Sequence, residues 1–152
     1  MEHSLAIFHI GIAKNVLGFG TRLLVWFSGC PFNCVGCIEE RLHDINFGKY
    51  ISIENLYNIF EPYLNTIDGI TFSGGEPLFQ SNSFYELLLK LPSSLNKMLF
   101  SGYYVSELNS KQLLCYNMFD LAVMGRFEYN NRGNYLWRGS NNKHFFSPKN
   151  TY

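Results

Sequence analysis

Three of the four cysteines, Cys30, Cys34 and Cys37, stand within eight residues of one another, and the fourth, Cys115, lies far away in the sequence. Clustered thiolates favour zinc, copper(I) or an iron–sulfur cluster. A structural zinc site needs four protein ligands. The three local thiolates therefore leave a metal one ligand short, and this open position is the most informative feature of the sequence.

The cysteines alone leave several alternatives open. They could hold an iron–sulfur cluster, contribute to a zinc site that His43 completes, or stay reduced without a metal. Clustered cysteines in a reducing compartment favour metal binding over disulfides, although air oxidation could join Cys30 to Cys37.

A second motif that could bind a ligand is Ser-Gly-Gly-Glu-Pro at 73–77. The cysteines follow the apolar run 23–27, and this motif begins at the end of a strand predicted at 69–73. A third segment, Ser-Gly-Tyr at 101–103, ends the strand predicted at 97–101. Ligands of parallel α/β sheets bind beyond the carboxyl ends of the strands. The three segments are therefore predicted to face one cavity.

The CxxxCxxC spacing of the cysteines, taken with the Ser-Gly-Gly-Glu-Pro motif, resembles the radical S-adenosylmethionine (SAM) superfamily. Within it, the chain from about Ile7 to Phe146 is similar to the small activating components of anaerobic ribonucleotide reductase and their close relatives. Further segments that carry this similarity are Gly-Phe-Gly-Thr-Arg at 18–22, Ser-Gly-Tyr at 101–103, Met-Gly-Arg-Phe at 124–127 and Arg-Gly-Ser-Asn-Asn at 138–142.

The resemblance implies a role for each motif. Cys30, Cys34 and Cys37 are implied to ligate three irons of a 4Fe-4S cluster, whose fourth iron stays open to the methionine part of SAM. The three cysteines thus act in catalysis through the cluster. The glycine-rich motif is implied to bind the amino group of that methionine. The residues implied to bind SAM are Ser73, Gly74, Gly75, Glu76, Pro77, Ser101 and Gly102.

The activity implied by the resemblance is reductive cleavage of SAM to methionine and a 5′-deoxyadenosyl radical. In similar proteins this radical removes hydrogen from a glycine of a large partner protein, which then stores a glycyl radical. A reductant such as flavodoxin or ferredoxin is implied as the electron donor. The expected partners are thus a glycyl-radical protein, or a peptide substrate, and this reductant.

Several residues depart from the pattern of the activating enzymes. Ile38-Glu39-Glu40 follows the third cysteine, where an aromatic residue and Asn are usual, and Asn142-Lys143 stands where Gln-Arg is common. Gly36 occupies the position at which many radical SAM enzymes place an aromatic residue against adenine. These departures leave cluster and SAM binding intact but leave the substrate open, so one alternative is a radical SAM enzyme that modifies a peptide or small metabolite directly. The non-catalytic alternative is a zinc-binding or electron-transfer module.

Strands and helical segments alternate along the chain, which predicts βαβ crossovers and a mainly parallel sheet. Ser52 is a predicted N-cap, and Pro62 should kink the first helix or end it at Glu61. Ser83 with Glu86 is a predicted capping box that opens a second helix. A complete (β/α)8 barrel needs about 250 residues. An α/β fold with an open, partial TIM-like (β/α) barrel is therefore expected. The predicted strands span 5–12, 22–27, 69–73, 97–101 and 119–124, and a short third helix spans 110–117.

The 152 residues, 47% of them hydrophobic, indicate a single domain over 1–152. A strand or hairpin prelude is expected over about 1–20, and an Asn- and Gly-rich tail over about 128–152. The formal net charge is zero and no long basic run occurs, so neither a nucleic acid nor a membrane is an expected partner. The start of the chain lacks the pattern of a signal peptide, which predicts a cytoplasmic protein.

Overall fold

The computed structural model describes residues 2–150, and strands and helices alternate along this part of the chain. The strands are β1 (Ser4–Lys14), β2 (Thr21–Phe27), β3 (Lys49–Ser52), β4 (Gly69–Gly74), β5 (Asn96–Ser101), β6 (Leu121–Met124), β7 (Arg132–Tyr135), β8 (Arg138–Ser140) and β9 (His144–Phe146), and the helices are α1 (Ile53–Phe60), α2 (Ser81–Lys90) and α3 (Ser110–Tyr116). Residue 1 of the predicted prelude and residues 151–152 of the predicted tail lie outside the described residues.

Seven strands form one sheet in the order β3-β1-β2-β4-β5-β6-β9. The central strands β2, β4, β5 and β6 are parallel, whereas β1, β3 and β9 join the sheet antiparallel. The predicted α/β fold with a mainly parallel central sheet is confirmed. Because β3 and β9 are the two edges, the sheet does not close into a barrel, and its barrel-like curvature stays a prediction. Strands β7 and β8 form a separate hairpin.

The helices cover one face of the parallel strands and bury an aromatic cluster. Phe84 of α2 packs with its ring centroid 4.9 Å from those of Phe27 and Phe72 and 5.9 Å from that of Phe119. All four side chains are fully buried. In β2 the consecutive residues Leu23, Leu24 and Val25 are all buried, so both faces of this strand are covered and apolar residues need not alternate with polar ones. This cluster fixes the helix layer against β2 and β4, the strands that lead into the two predicted motifs.

The first helix follows its sequence signals. The side chain of Ser52 accepts a hydrogen bond from the backbone N–H of Asn55 at 3.1 Å, as the N-cap prediction requires. Helix α1 ends at Phe60, two residues before Pro62, and a short 3-10 turn follows. The predicted N-cap and helix end are confirmed.

The predicted capping box of Ser83 and Glu86 is wrong. Helix α2 begins at Ser81, directly after a 3-10 turn at Pro77–Gln80, so the chain is already helical when it reaches Ser83. Glu86 instead contacts the ring of His3 through Nδ1 at 2.8 Å. A capping box does occur at the start of α3, where Asn109 and Gln112 exchange side chain to backbone hydrogen bonds of 2.9 and 3.0 Å.

Two short antiparallel strands at the sheet edges were not predicted. Strand β3 pairs with β1, with Ser4 opposite Ser52, and β9 pairs with β6, with Met124 opposite His144. Strands of three or four residues carry too few positions to show alternation, so pairing with a longer neighbour determines them. No helix within residues 2–150 is both long and apolar enough to cross a membrane.

The aromatic cluster makes a prediction for stability. Phe84→Ala removes a ring that contacts three other buried rings, so we expect the free energy of unfolding to fall by about 3–5 kcal/mol in a urea titration. Leu89→Ala on the same helix is the control, because Leu89 is 58% exposed and its loss should cost no more than about 0.5 kcal/mol. Equal losses for both variants would contradict this account of the core.

Candidate functional site

The carboxyl ends of the four parallel strands meet along one edge of the sheet. Phe27 at the end of β2 lies opposite Gly74 of β4, and Ser101 at the end of β5 lies opposite Met124 of β6. The cysteine segment follows β2 directly, while the Ser-Gly-Gly-Glu-Pro and Ser-Gly-Tyr segments begin in the last residues of β4 and β5. The structure therefore brings together the three segments that the sequence predicted to face one cavity.

Backbone hydrogen bonds join the glycine-rich motif to the start of the cysteine loop. Gly75 N–H donates to the carbonyl of Phe27 at 2.8 Å, and Glu76 N–H donates to that of Gly29 at 2.9 Å. Gly74 has φ +100°, and a Cβ at Gly75 would lie 2.5 Å from the Gly29 carbonyl oxygen. Only glycine allows such backbone approach and conformation. These two glycines thus serve first to hold the two motifs against each other.

The carboxylate of Glu76 links this motif to the end of β5. Its Oε2 accepts hydrogen bonds of 2.9 Å from Ser101 Oγ and from the backbone N–H of Leu78, and its Oε1 accepts one of 2.6 Å from Gly102 N–H. The side chain is fully buried. Burial raises the pKa of Glu76 to about 7, although the three hydrogen bonds favour the ionised form.

The predicted SAM-binding residues thus lie in one region, but several of their side chains bind protein groups. Ser101 Oγ accepts from Tyr103 N–H at 3.1 Å in addition to donating to Glu76. Pro77 is buried at the start of the 3-10 turn, and Ser73 stands opposite Trp26 in the register of β4 and β2. Glu76 and Ser101 therefore shape the loops. Because the N–H groups of Gly75, Glu76 and Gly102 also donate within the protein, a ligand at the glycine-rich motif would meet mainly its backbone carbonyl groups.

The cysteines of the loop differ from Cys115 in their surroundings. Cys30, Cys34 and Cys37 are free and half-buried, whereas Cys115 is buried in α3 with its Sγ 3.4 Å from the carbonyl of Ser81. Burial raises the pKa of Cys30 to about 11 and that of Cys115 to about 12. Cys115 is thus a buried core side chain, as expected for a cysteine outside the site.

In the cysteine loop, the thiols are less exposed to solvent than the apolar side chains next to them. Val35 and Ile38 are 75% and 90% exposed, whereas the adjacent Cys34 and Cys37, and Cys30 at the start of the loop, are half-buried. Gly36 permits the intervening turn with φ +75°. Within residues 2–150, no group of three or more His, Cys, Asp and Glu side chains lies close enough to hold one metal ion, including the zinc site with His43. Thiolates that ligate separate irons of a cluster need not approach one common ion.

A cavity of about 540 Å³ opens beside Cys34, within the usual size range of ligand pockets. Arg126 forms one wall, with its guanidinium 4.7 Å from the ring centroid of Phe32 and 5.0 Å from that of Tyr104. Arg126 Nη2 also donates to Glu107 Oε2 at 2.9 Å. The other residues that line the cavity are Pro31, Asn33, Phe127 and Glu128.

The tail contributes two residues that the sequence analysis did not assign to the site. Asn142 Nδ2 donates to the carbonyl of Arg126 at 2.7 Å and to Tyr104 Oη at 3.0 Å. The next residue, Lys143, is half-buried and lies within electrostatic range of Glu76 and of the three loop cysteines. Burial lowers the pKa of Lys143, and these acidic neighbours act in the opposite direction. In the sequence, the only sign that these two residues belong to the site is that Asn142-Lys143 stands where Gln-Arg is common in the activating enzymes.

Comparison with known proteins places residues 16–146 in the family model of the 4Fe-4S single cluster domain. The anaerobic ribonucleoside-triphosphate reductase-activating protein of Salmonella typhi is 30% identical over 137 residues, covering 84% of this chain and 89% of that protein. The protein of the same name from Enterobacteria phage T4 is 26% identical over 140 residues, covering 87% of each. The pyruvate formate-lyase-activating enzyme of Clostridium pasteurianum is 35% identical over 75 residues, or 47% of this chain and 32% of that one.

A solved structure shares the fold. The crystal structure of QueE from Escherichia coli superposes with a TM-score of 0.50 at 15% sequence identity, covering 66% of this chain and 53% of that chain. At this identity the likeness concerns the arrangement of strands and helices alone.

The buried carboxyl group predicts a pH dependence for the cluster-free protein. The pKa of Glu76 is about 7 in the folded state and about 4.3 in an unfolded chain, so folding favours the protonated form. The stabilising contribution of this group is therefore fully present below pH about 4 and is lost as the pH rises through about 7. Between about pH 5 and about pH 8, we expect the free energy of unfolding of the wild type to fall more steeply than that of Glu76→Gln in urea titrations.

Glu107→Gln is the control for this experiment. The hydrogen bond from Arg126 lowers the pKa of Glu107, so this group stays ionised over the pH range tested. Its substitution should leave the slope of stability against pH as in the wild type. Parallel curves for the wild type and Glu76→Gln would show that burial does not raise the pKa of Glu76.

Proposed function

Because this chain belongs to the 4Fe-4S single cluster domain family, we propose that it is a radical SAM enzyme that installs a glycyl radical on a partner enzyme. The observation that carries the proposal is the backbone connection between the cysteine loop and the glycine-rich motif. The relatives support the choice of partner, since they are activating proteins of anaerobic ribonucleoside-triphosphate reductase and of pyruvate formate-lyase.

The cluster in this proposal is a 4Fe-4S cluster held by Cys30, Cys34 and Cys37, with its fourth iron open to SAM. The residues fit such a group, because three free, half-buried thiols lie in one short loop and Cys34 lines a cavity. Bound in this way, the cluster supplies the electron that cleaves SAM to methionine and a 5′-deoxyadenosyl radical.

The protein groups around the cluster have defined tasks. We assign SAM binding to Ser73, Gly74, Gly75, Glu76, Pro77, Ser101 and Gly102. Among them Glu76 is a positioning residue, since its carboxylate holds Ser101 and Gly102 against the glycine-rich motif. Backbone carbonyl groups of the motif can accept hydrogen bonds from the ammonium of the methionine part. The cavity beside Cys34 has the volume to take a further part of the ligand.

A partner protein completes the site in this proposal. Val35 and Ile38 lie next to the cysteines and are largely exposed, so the protein does not by itself cover this side of the loop. A radical reaction needs an environment from which water and side reactions are excluded. The glycyl-radical partner would supply that cover, and a reductant such as flavodoxin or ferredoxin would deliver the electron.

We extend the proposal to the architecture and location of the chain. Residues 1–152 are inferred to form a single radical SAM core domain, with the sheet curved as a partial (β/α) barrel around the strand ends. One continuous cluster of buried apolar residues, which includes residues of β1, α1, α2, α3 and the parallel strands, supports the single domain. The reducing conditions that free thiols and an iron–sulfur cluster require agree with a cytoplasmic location.

The decisive experiment is anaerobic reconstitution of the protein with iron and sulfide, followed by reduction in the presence of SAM. We expect 5′-deoxyadenosine to form, and a glycyl radical to be detected by electron paramagnetic resonance when the anaerobic ribonucleotide reductase of the same organism is added. SAM cleavage that leads to a modified peptide or small metabolite, with no radical on the reductase, would overturn the assigned partner. A protein that instead binds stoichiometric zinc and leaves SAM intact would overturn the enzyme itself.

The cysteines give a second prediction. Replacing Cys30, Cys34 or Cys37 by Ala should abolish the cluster, because each removes one of three iron ligands. Iron and sulfide content and the absorption spectrum after reconstitution measure this loss. Cys115→Ala is the matched control and should keep a full complement of iron, since Cys115 is buried in α3. Loss of the cluster in Cys115→Ala at unchanged secondary structure would contradict the assignment of ligands.

A further inference from the structure

Lys143 is held at the carboxyl end of β6 by contacts on several sides. Because Met124 pairs with His144, the residue before His144 comes to lie beside Gly125. The Cα of Lys143 is 3.5 Å from where a Cβ of Gly125 would stand. Arg138 Nη1 donates to the Lys143 carbonyl at 2.9 Å. The backbone of Lys143 is thus fixed next to the strand ends that form the site.

The ammonium of Lys143 interacts electrostatically with the acidic groups of the site. It lies within electrostatic range of Glu76 and of all three loop thiols. Within residues 2–150 this ammonium makes no hydrogen bond or ion pair. Lys143 therefore places a positive charge at the site without using it in a structural contact.

Two other lysines, Lys97 and Lys149, use their ammonium groups in contacts that stabilise the fold. The buried Lys97 donates through Nζ to the carbonyls of Pro92 and Leu95 at 2.8 and 3.1 Å. Lys149 pairs with Asp120 at 3.4 Å, at the opposite end of β6. Both of these ammonium groups have protein acceptors. Within residues 2–150, the ammonium of Lys143 has none.

We infer that Lys143 tunes the iron–sulfur site, by holding a positive charge beside the cysteine-bound cluster and raising its reduction potential. This inference rests on the proposed function, because it requires the cluster. The three thiolate ligands outweigh the positive charge of the oxidised 4Fe-4S core, so the cluster carries a net negative charge, and one-electron reduction adds one further negative charge. A fixed cation nearby stabilises the reduced state more than the oxidised state, since the attraction grows with the charge.

Glu76 is a second acidic group near the Lys143 ammonium. Its carboxyl group lies near both Lys143 and Cys30, and it is hydrogen-bonded to Ser101, Gly102 and Leu78 rather than to the lysine. Without Lys143, the cluster would face this acidic group with no compensating charge from the tail. The lysine therefore offsets both the thiolates and the one carboxyl group buried at the site.

The test is a redox titration of the reconstituted protein, without SAM and without partner, followed by electron paramagnetic resonance. Lys143→Met should lower the equilibrium constant for one-electron reduction about tenfold, which corresponds to a potential about 59 mV more negative. Lys143→Arg, which keeps the charge, should restore most of the difference. Lys149→Met is the matched control: it removes the same charge from the same tail, and its potential should stay at the wild-type value.

Other outcomes would overturn the inference and leave the proposed function intact. A potential of Lys143→Met equal to that of Lys149→Met would show that the ammonium does not act on the cluster. A large loss of SAM affinity at an unchanged potential would assign the ammonium to the SAM carboxylate instead. If Lys143→Met loses the cluster, Lys143→Gln is titrated in its place, because it keeps a polar side chain of similar length while removing the charge, and the same criteria apply. Failure of the wild type itself to bind a cluster would contradict the proposed function rather than the role of Lys143.

Discussion

The carboxylate of Glu76 is the interaction on which the candidate site depends. It is the one fully buried acidic side chain of the described chain. Its two carboxylate oxygens accept hydrogen bonds from Leu78, which follows its own motif, and from Ser101 and Gly102 at the end of β5. Its backbone N–H binds the carbonyl of Gly29 in the cysteine loop. One residue therefore connects the loops that follow β2, β4 and β5. Burying a carboxyl group is costly unless it is hydrogen-bonded, so its position strongly constrains all three loops.

This constraint has a consequence for how the site binds a ligand. The side chains of Glu76 and Ser101 are occupied by each other and by backbone donors, so the surface that these loops offer to a ligand is mainly backbone. Gly74 and Gly75 are required at their positions by contact with Phe27 and Gly29, before any ligand is considered. Preorganised backbone groups cost no reorganisation when a ligand binds. The motif thus holds two loops together and, in the proposed function, offers its backbone to the ligand.

Much of this arrangement could be predicted from the sequence. The parts that could not be predicted depend on contacts between distant segments or on the preceding turn. The strand ends and cysteine spacing placed the three motifs together, because parallel strands align their carboxyl ends. Ser83 was misread as a helix start, since a 3-10 turn had already set the helix by Ser81. The place of Lys143 was not predicted, because it is set by the pairing of β9 with β6. These segments lie about twenty residues apart, and no local sequence pattern indicates that they pair.

The returning tail adds residues to the site at the carboxyl end of β6. After β6 the chain forms the β7–β8 hairpin and comes back as β9, antiparallel to β6, so it crosses the carboxyl end of that strand. Asn142 binds Arg126 and Tyr104 there, which ties the tail to one wall of the cavity beside Cys34. An additional parallel strand would have needed a crossover of a dozen or more residues. By reversing direction, the tail places polar and charged side chains at the carboxyl ends of the parallel strands and needs only three strand residues to do so. Val35 and Ile38 stay exposed on the cysteine loop, where a partner can approach.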